Sequence, residues 1–287
     1  IGHARARLIE VPKDFWESHR LPPVWKITRE CIWDVLKRLA EFGIASAELL
    51  PSTNSLIPLF ALHHRWKDTP HYRFQAAFRW FLLANRDGRY SGSAITALNE
   101  DVRNLSEAPD FESALDRLLK PLRISPTIDA GEFLERYDRA GNRFLRLMLY
   151  LLLFDRGAVD WVDGTRLGYD KGGAAIVAGF EPQWHHIYPR SVLQKAEFGI
   201  DERQALANIT VLNERTNVNR ISGKEPWRYI KQFAVSSQAL EGHLIPPDYA
   251  RSADERVWSV ANYMDFLAKR AELLAQQANT FLERLAR

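Results

Sequence analysis

Residues 184–191 read WHHIYPRS, and residues 206–219 read LANITVLNERTNVN. In an extended segment over 180–186, successive side chains point to opposite faces, so the neighbouring imidazoles of His185 and His186 are assigned different tasks. Pro189 ends that strand, because proline donates no backbone hydrogen bond, and it fixes the turn that leaves it. Residues 209–212, ITVL, are β-prone and can pair back as the second strand of a hairpin. The pairing brings Asn208 close to the histidine loop, and the polar helix start that follows can return Asn217 or Asn219 towards the histidines. A strand, a loop, a second strand and a helix start thus gather a base, a loop-fixing amide and a metal ligand.

Most of the chain before residue 155 reads as helix. In VWKITRECIWDVLKRLAEFG (24–43), Trp25, Ile27, Cys31, Ile32, Val35, Leu36 and Leu39 fall near helical spacing, with Gly43 as the stop. Further helices are expected at 55–66, 72–84, 93–105, 111–119 and 130–154, with Ser93 as an N-cap and short Pro- or Gly-bearing loops between them. Residues 155–180, rich in Gly and Asp, read as loop or short strand. Helices are then expected at 191–197, from Pro226 onward through WRYIKQF, and over 254–285. The predicted fold class is mainly α: a helical domain over 1–155, then a functional module in 156–287 with its core at 175–234 and a C-terminal helix.

Bulk composition sets wide bounds. At 46% hydrophobic and 26% charged residues, the 287-residue chain buries a substantial core. With 39 basic against 36 acidic residues the net charge is only +3, so any nucleic-acid affinity comes from a local patch. Cys31 is the only cysteine, which excludes an internal disulfide and every multi-cysteine zinc site and suits a cytoplasmic location. The run FLRLMLYLLLF (144–154) contains Arg146 and is too short to span a bilayer, so no membrane partner is expected. The chain opens at Ile1 without methionine or a signal pattern, which reads as a fragment of a longer protein or a processed chain.

HHIYP at His185, ANITVL at Asn208 and NVN at Asn217 resemble the three motifs of HNH nucleases, the ββα-metal family. LANITVLNERTN…ISGKEPWRYI is more similar to the nuclease half of GmrSD-type modification-dependent restriction enzymes and of nicking proteins in phosphorothioate-based phage defence. FRWFLLANRDGRYSGSAITALNEDV (78–102) resembles the helical region those proteins carry between a ParB-like nucleotide-binding domain and the nuclease. The likeness is strong over 184–230 and loose before it, and the nucleotide-binding domain has no counterpart here; nor is there a Walker-type glycine loop.

The resemblance implies a metal-dependent DNA endonuclease with a restriction or antiviral-defence role. His186 is then the general base, a task that suits an imidazole whose unperturbed pKa is about 6.5. Asn208 holds the histidine loop or orients His186. His185 and Asn217 bind one divalent cation, with Asn219 as a competing ligand. Arg190, Arg220 and Lys224 clamp backbone phosphates. Many family members place a carboxylate where His185 stands, and an imidazole makes Mn, Ni, Co or Zn more credible beside Mg. One such module cuts one strand at a time, so double-strand cleavage calls for a second event or a second protomer in a homo-oligomer. The rival readings are an RNase or toxin built on the same module and an inert DNA-binding remnant.

Other features read as structural. His63–His64 sits in a helical pattern with no following proline, and the nine tryptophans are interleaved with apolar residues as core. Asp160, Asp163 and Asp170 suit turn formers. Lys269, Arg270, Glu272 and Arg284 read as the solvated face of the last helix.

Overall fold

The computed structural model of the chain describes residues 13–17, 19, 21–170, 172–175, 182–221 and 223–287. Two units emerge: Ile1–Glu41, Leu50–Pro126 and Leu282–Arg287 form the first, and Phe42–Leu49 with Thr127–Phe281 the second. The protein is mainly helical, with two short strands among the described residues.

The first unit contains α1 (Lys13–Glu17), α2 (Leu21–Glu41), α3 (Leu56–Trp66), α4 (Phe74–Arg86), α5 (Ala94–Glu107) and α6 (Phe111–Leu119). α3 packs on α2, α4 and α5, and α6 closes against α4 and α5. Leu59, Leu62, Phe78, Phe81 and Leu118 are fully buried, each contributing about 1.5–3 kcal/mol by leaving water. Asp110 caps α6 by accepting the Ser113 N–H, whereas Ser93, the expected cap of α5, makes no capping bond. His63 is buried, with Nδ1 2.7 Å from the Tyr72 hydroxyl and Nε2 2.7 Å from Asp34. Arg89 forks onto buried Asp101, which also accepts from the Tyr90 hydroxyl at 2.6 Å. The expectation that all tryptophans are core fails on α1 and α2. Trp66, Trp80, Trp161 and Trp258 are buried, but Trp16, Trp25 and Trp33 are exposed, because the buried face of α2 is the narrower stripe of Cys31, Val35 and Leu39.

The second unit is built round α7 (Arg143–Asp155), where ten of thirteen residues are buried. The single helix expected over 130–154 is not formed. Ala130–Leu134 and Ala140–Asn142 make 3-10 turns, and between them Arg136 bridges Ala205 and Tyr137 N–H donates to the Gln204 carbonyl. That pairing takes the backbone groups a helix needs, so α7 starts at Arg143. Residues 156–170 and 172–175 run as turns with isolated bridges at Val159–Arg166 and Tyr169–Ala175. Gly168 has φ +80°, and a Cβ there would lie 2.7 Å from the Phe154 ring, so the turn against α7 requires glycine.

β1 (Gln183–His186) is followed by α8 (Arg190–Lys195), α9 (Ile200–Arg203) and β2 (Ile209–Leu212), which packs against α7. That contact explains why α7 belongs with the second unit and why the division near 126 differs from the 155/156 boundary drawn from composition. The part of the expected first strand at 180–181 lies outside the described residues. After β2 come α10 (Glu214–Thr216), a π-helical turn over Asn217–Ile221, α11 (Pro226–Gln232), α12 (Ser237–Gly242) and α13 (Pro247–Ala250). α14 (Tyr263–Arg284) starts later than the expected 254, because Asp254, Ser252 and Asn262 side chains bind backbone groups of the preceding turns. No described helix is long and apolar enough to cross a membrane.

Candidate active site

β1 and β2 pair antiparallel with Gln183 opposite Leu212, Trp184 opposite Val211, His185 opposite Thr210 and His186 opposite Ile209. β2 is buried at all four positions, Thr210 included. The two histidines meet different partners.

His185 is 4% exposed, and its Nδ1 lies 2.8 Å from Asn217 Oδ1. Asn217 Nδ2 donates to the Trp184 carbonyl at 3.3 Å. A carbonyl only accepts, which turns the NH2 end of Asn217 towards Trp184 and its oxygen towards His185. Nδ1 therefore carries the proton, and Nε2 is a buried lone pair without a hydrogen-bond partner. The ring stands edge-on to Trp161 and Tyr229. Burial pushes the His185 pKa down to about 4, against the Asn217 hydrogen bond, so the ring is neutral at pH 7.

His186 is half-buried, and its Nε2 is 2.6 Å from Oε1 of buried Gln204. The amide oxygen accepts, so Nε2 carries the proton and Nδ1 keeps the lone pair. Tyr137 packs edge-on against the ring at 5.4 Å between centroids. The His186 pKa is lowered, first by burial; the Gln204 bond opposes this and the Arg190 charge adds to it.

Asn208 does not touch His186. Its carboxamide spans the loop beyond: Oδ1 accepts the Tyr188 N–H at 2.9 Å, and Nδ2 donates to the carbonyls of Tyr188 and Arg203. Its own carbonyl accepts the Ile187 N–H. The Tyr229 hydroxyl donates to the Ile187 carbonyl, so both peptide groups after the histidines are tied down.

Two further residues hold this frame. Arg270, expected on a solvated face, is fully buried and donates to the carbonyls of Ala207, Ile209, His243 and Leu244. Burial lowers its pKa to about 9. It clamps the peptide on either side of Asn208. Asp160 is a turn former as expected, accepting from the N–H groups of Val162 and Asp163. It also accepts from Asn213 N–H and the Thr216 hydroxyl, which anchors the turn carrying Asn217. Neither role was visible in the sequence, since one charged residue on a helix resembles another until its burial is known. Gln204, four residues before Asn208, carried no signal either.

A groove of about 410 Å³ is lined by Trp184, His185, His186, Pro189, Arg190, Ser191, Gln194, Asn217 and Gly223. Arg190 is exposed at the start of α8. Lys224 lines the neighbouring cleft, where it donates to Gln232, and exposed Arg220 lines neither. The backbone of Asn219 is in the π turn, but its side chain is outside the described residues.

The donor set suits a divalent cation bound jointly with substrate. The 2.8 Å between His185 Nδ1 and Asn217 Oδ1 matches the roughly 3 Å between neighbouring ligands of one cation with bonds of about 2.1 Å. A cation on Nδ1 would require the His185 proton on Nε2, which is buried without a hydrogen-bond partner among the described residues. Among the described residues no cluster of three His, Cys, Asp or Glu side chains is arranged for a metal. No family model, curated protein or solved structure matches the chain.

Proposed function

We propose that the chain is a metal-dependent HNH-type endonuclease that hydrolyses internal phosphodiester bonds of DNA. The observation that carries this reading is the pair of adjacent imidazoles at one groove, His185 bonded to Asn217 and His186 to Gln204. β1, β2 and the turn through Asn217 take the places of the two strands and helix of a ββα-metal module, although α10 is only one turn long.

His186 Nδ1 takes the proton from the attacking water, whose oxygen bonds to phosphorus as the P–O3′ bond breaks. Burial keeps that imidazole in its neutral, proton-accepting form down to pH values below its ordinary range. His185 and Asn217 would hold a divalent cation, which would supply charge neutralisation for the phosphate as the P–O3′ bond breaks. Gln204 holds the tautomer of His186, Asn208 fixes the loop beyond it, and Arg190 positions the phosphate. In the wider role implied by the resemblance, recognition of modified DNA resides in a ParB-like domain outside this chain.

Nicking of supercoiled plasmid with Mg or Mn tests the reading. Wild type is expected to convert supercoiled to open circles, and His186→Ala to lose that activity while keeping its fold and DNA affinity. RNA digested in parallel separates the RNase reading. Equal nicking by both proteins, or none by wild type with either metal, overturns the assignment.

A further inference from the structure

Three depressions of the second unit share walls. The histidine groove shares Trp184 with a cavity of about 580 Å³ whose charged lining is Glu48, Asp138, Arg143 and Arg146, and shares Gly223 with a cleft of about 450 Å³ whose charged lining is Lys195, Lys224, Glu225 and Arg228. Arg143 and Arg146 lie one turn apart at the start of α7, so both project from one helix face. Arg146 is half-buried and makes no hydrogen bond or ion pair among the described residues. Burial, first, and the Arg143 charge lower its pKa, and Tyr137 and Asp138 oppose the shift. Asp138 in the same cavity is engaged by Arg136 at 2.8 Å. Arg190 lines the histidine groove and Arg146 the neighbouring cavity, and Tyr137, edge-on to His186, is near both charges.

We infer that Arg143 and Arg146 form a second phosphate site, which carries the nucleic-acid strand past Trp184 on the side of the histidine groove opposite Lys195 and Lys224. A half-buried guanidinium without an ion pair, set one turn from a second arginine, is a recognition device for a polyanion, because each phosphate bound releases condensed counterions and gains forked hydrogen bonds. Trp184, half-buried on the shared wall, offers a ring face to the intervening sugar or base. The strand therefore continues on both sides of the scissile phosphate, and the site accepts a strand without ends. This inference rests on the nuclease reading for its orientation, not for the binding itself.

The test uses the full chain carrying His186→Ala, so that DNA stays intact, with a short fluorescein-labelled duplex followed by anisotropy over a salt series. Arg143→Gln/Arg146→Gln is expected to weaken binding and reduce the slope of log K against log salt by about 2, near 0.9 for each phosphate no longer neutralised. Arg143→Lys/Arg146→Lys is expected to retain most of the slope, and Lys269→Gln, placed at a separate cleft, to leave it unchanged. An unchanged slope in the glutamine variant, with the fold intact by circular dichroism, overturns the second site even if wild type nicks plasmid. A reduced slope with a wild type that never nicks leaves this site standing and removes the nuclease reading instead. Covalently closed circles resisting a wild type that degrades linear DNA overturn the through-running path.

Discussion

Replacing Gln204 by leucine removes the one acceptor that holds His186 in a defined tautomer. The bond is 2.6 Å long, and Gln204 is 4% exposed, so no bulk water replaces the lost oxygen at full strength. A buried donor left without its partner costs about 1–3 kcal/mol. If that cost falls on the reactive orientation of the imidazole, the rate of nicking drops roughly 5- to 150-fold, at 1.36 kcal/mol per tenfold. Gln204→Glu has a different signature. A carboxylate beside the ring stabilises imidazolium and raises the His186 pKa, so the acidic limb of the rate profile moves to higher pH. In wild type, burial lowers that pKa, and the limb is expected below the ordinary histidine value of 6.5. Initial nicking rates across pH, with DNA affinity measured separately, read both effects. A folded Gln204→Leu variant with wild-type rates and an unshifted profile refutes the positioning role.

Asn208→Ala strips three hydrogen bonds, two at the Tyr188 backbone and one at the Arg203 carbonyl, and is expected to destabilise the fold by about 2–5 kcal/mol, read as a lower urea midpoint; a change under about 0.5 kcal/mol counts against the brace. Arg270→Met leaves four carbonyls without their shared donor, and a loss of about 3 kcal/mol or more is expected in the same measurement, which wild-type stability would contradict. His185→Ala should raise the Mn concentration needed for half-maximal nicking at least tenfold; an unchanged Mn dependence would remove His185 from the ligand set.

Much of this site was legible in the sequence because its elements are local. Pro189 cannot continue a central strand, ITVL is β-prone in isolation, and opposite-facing neighbours on a strand follow from backbone geometry alone, so the hairpin and the different surroundings of His185 and His186 could be read from a few residues, though the Gln204 partner could not. The proposed chemistry came from the order of three short motifs, and the fold places His185, His186 and Asn217 on one groove.

Only the tertiary structure decided which polar residues serve that hairpin. Arg270 lies 61 residues from Ile209, Asp160 lies 56 from Thr216, and the Tyr137 ring reaches His186 from before α7. The extended pairing that cancels a helix between 135 and 142 likewise depends on a partner at 204–206. A buried arginine and a solvated one are the same letter, and the difference between them is whether distant backbone carbonyls converge on the guanidinium. Hydrophobic periodicity reports local faces, while satisfaction of buried polar groups is a property of the whole packed unit.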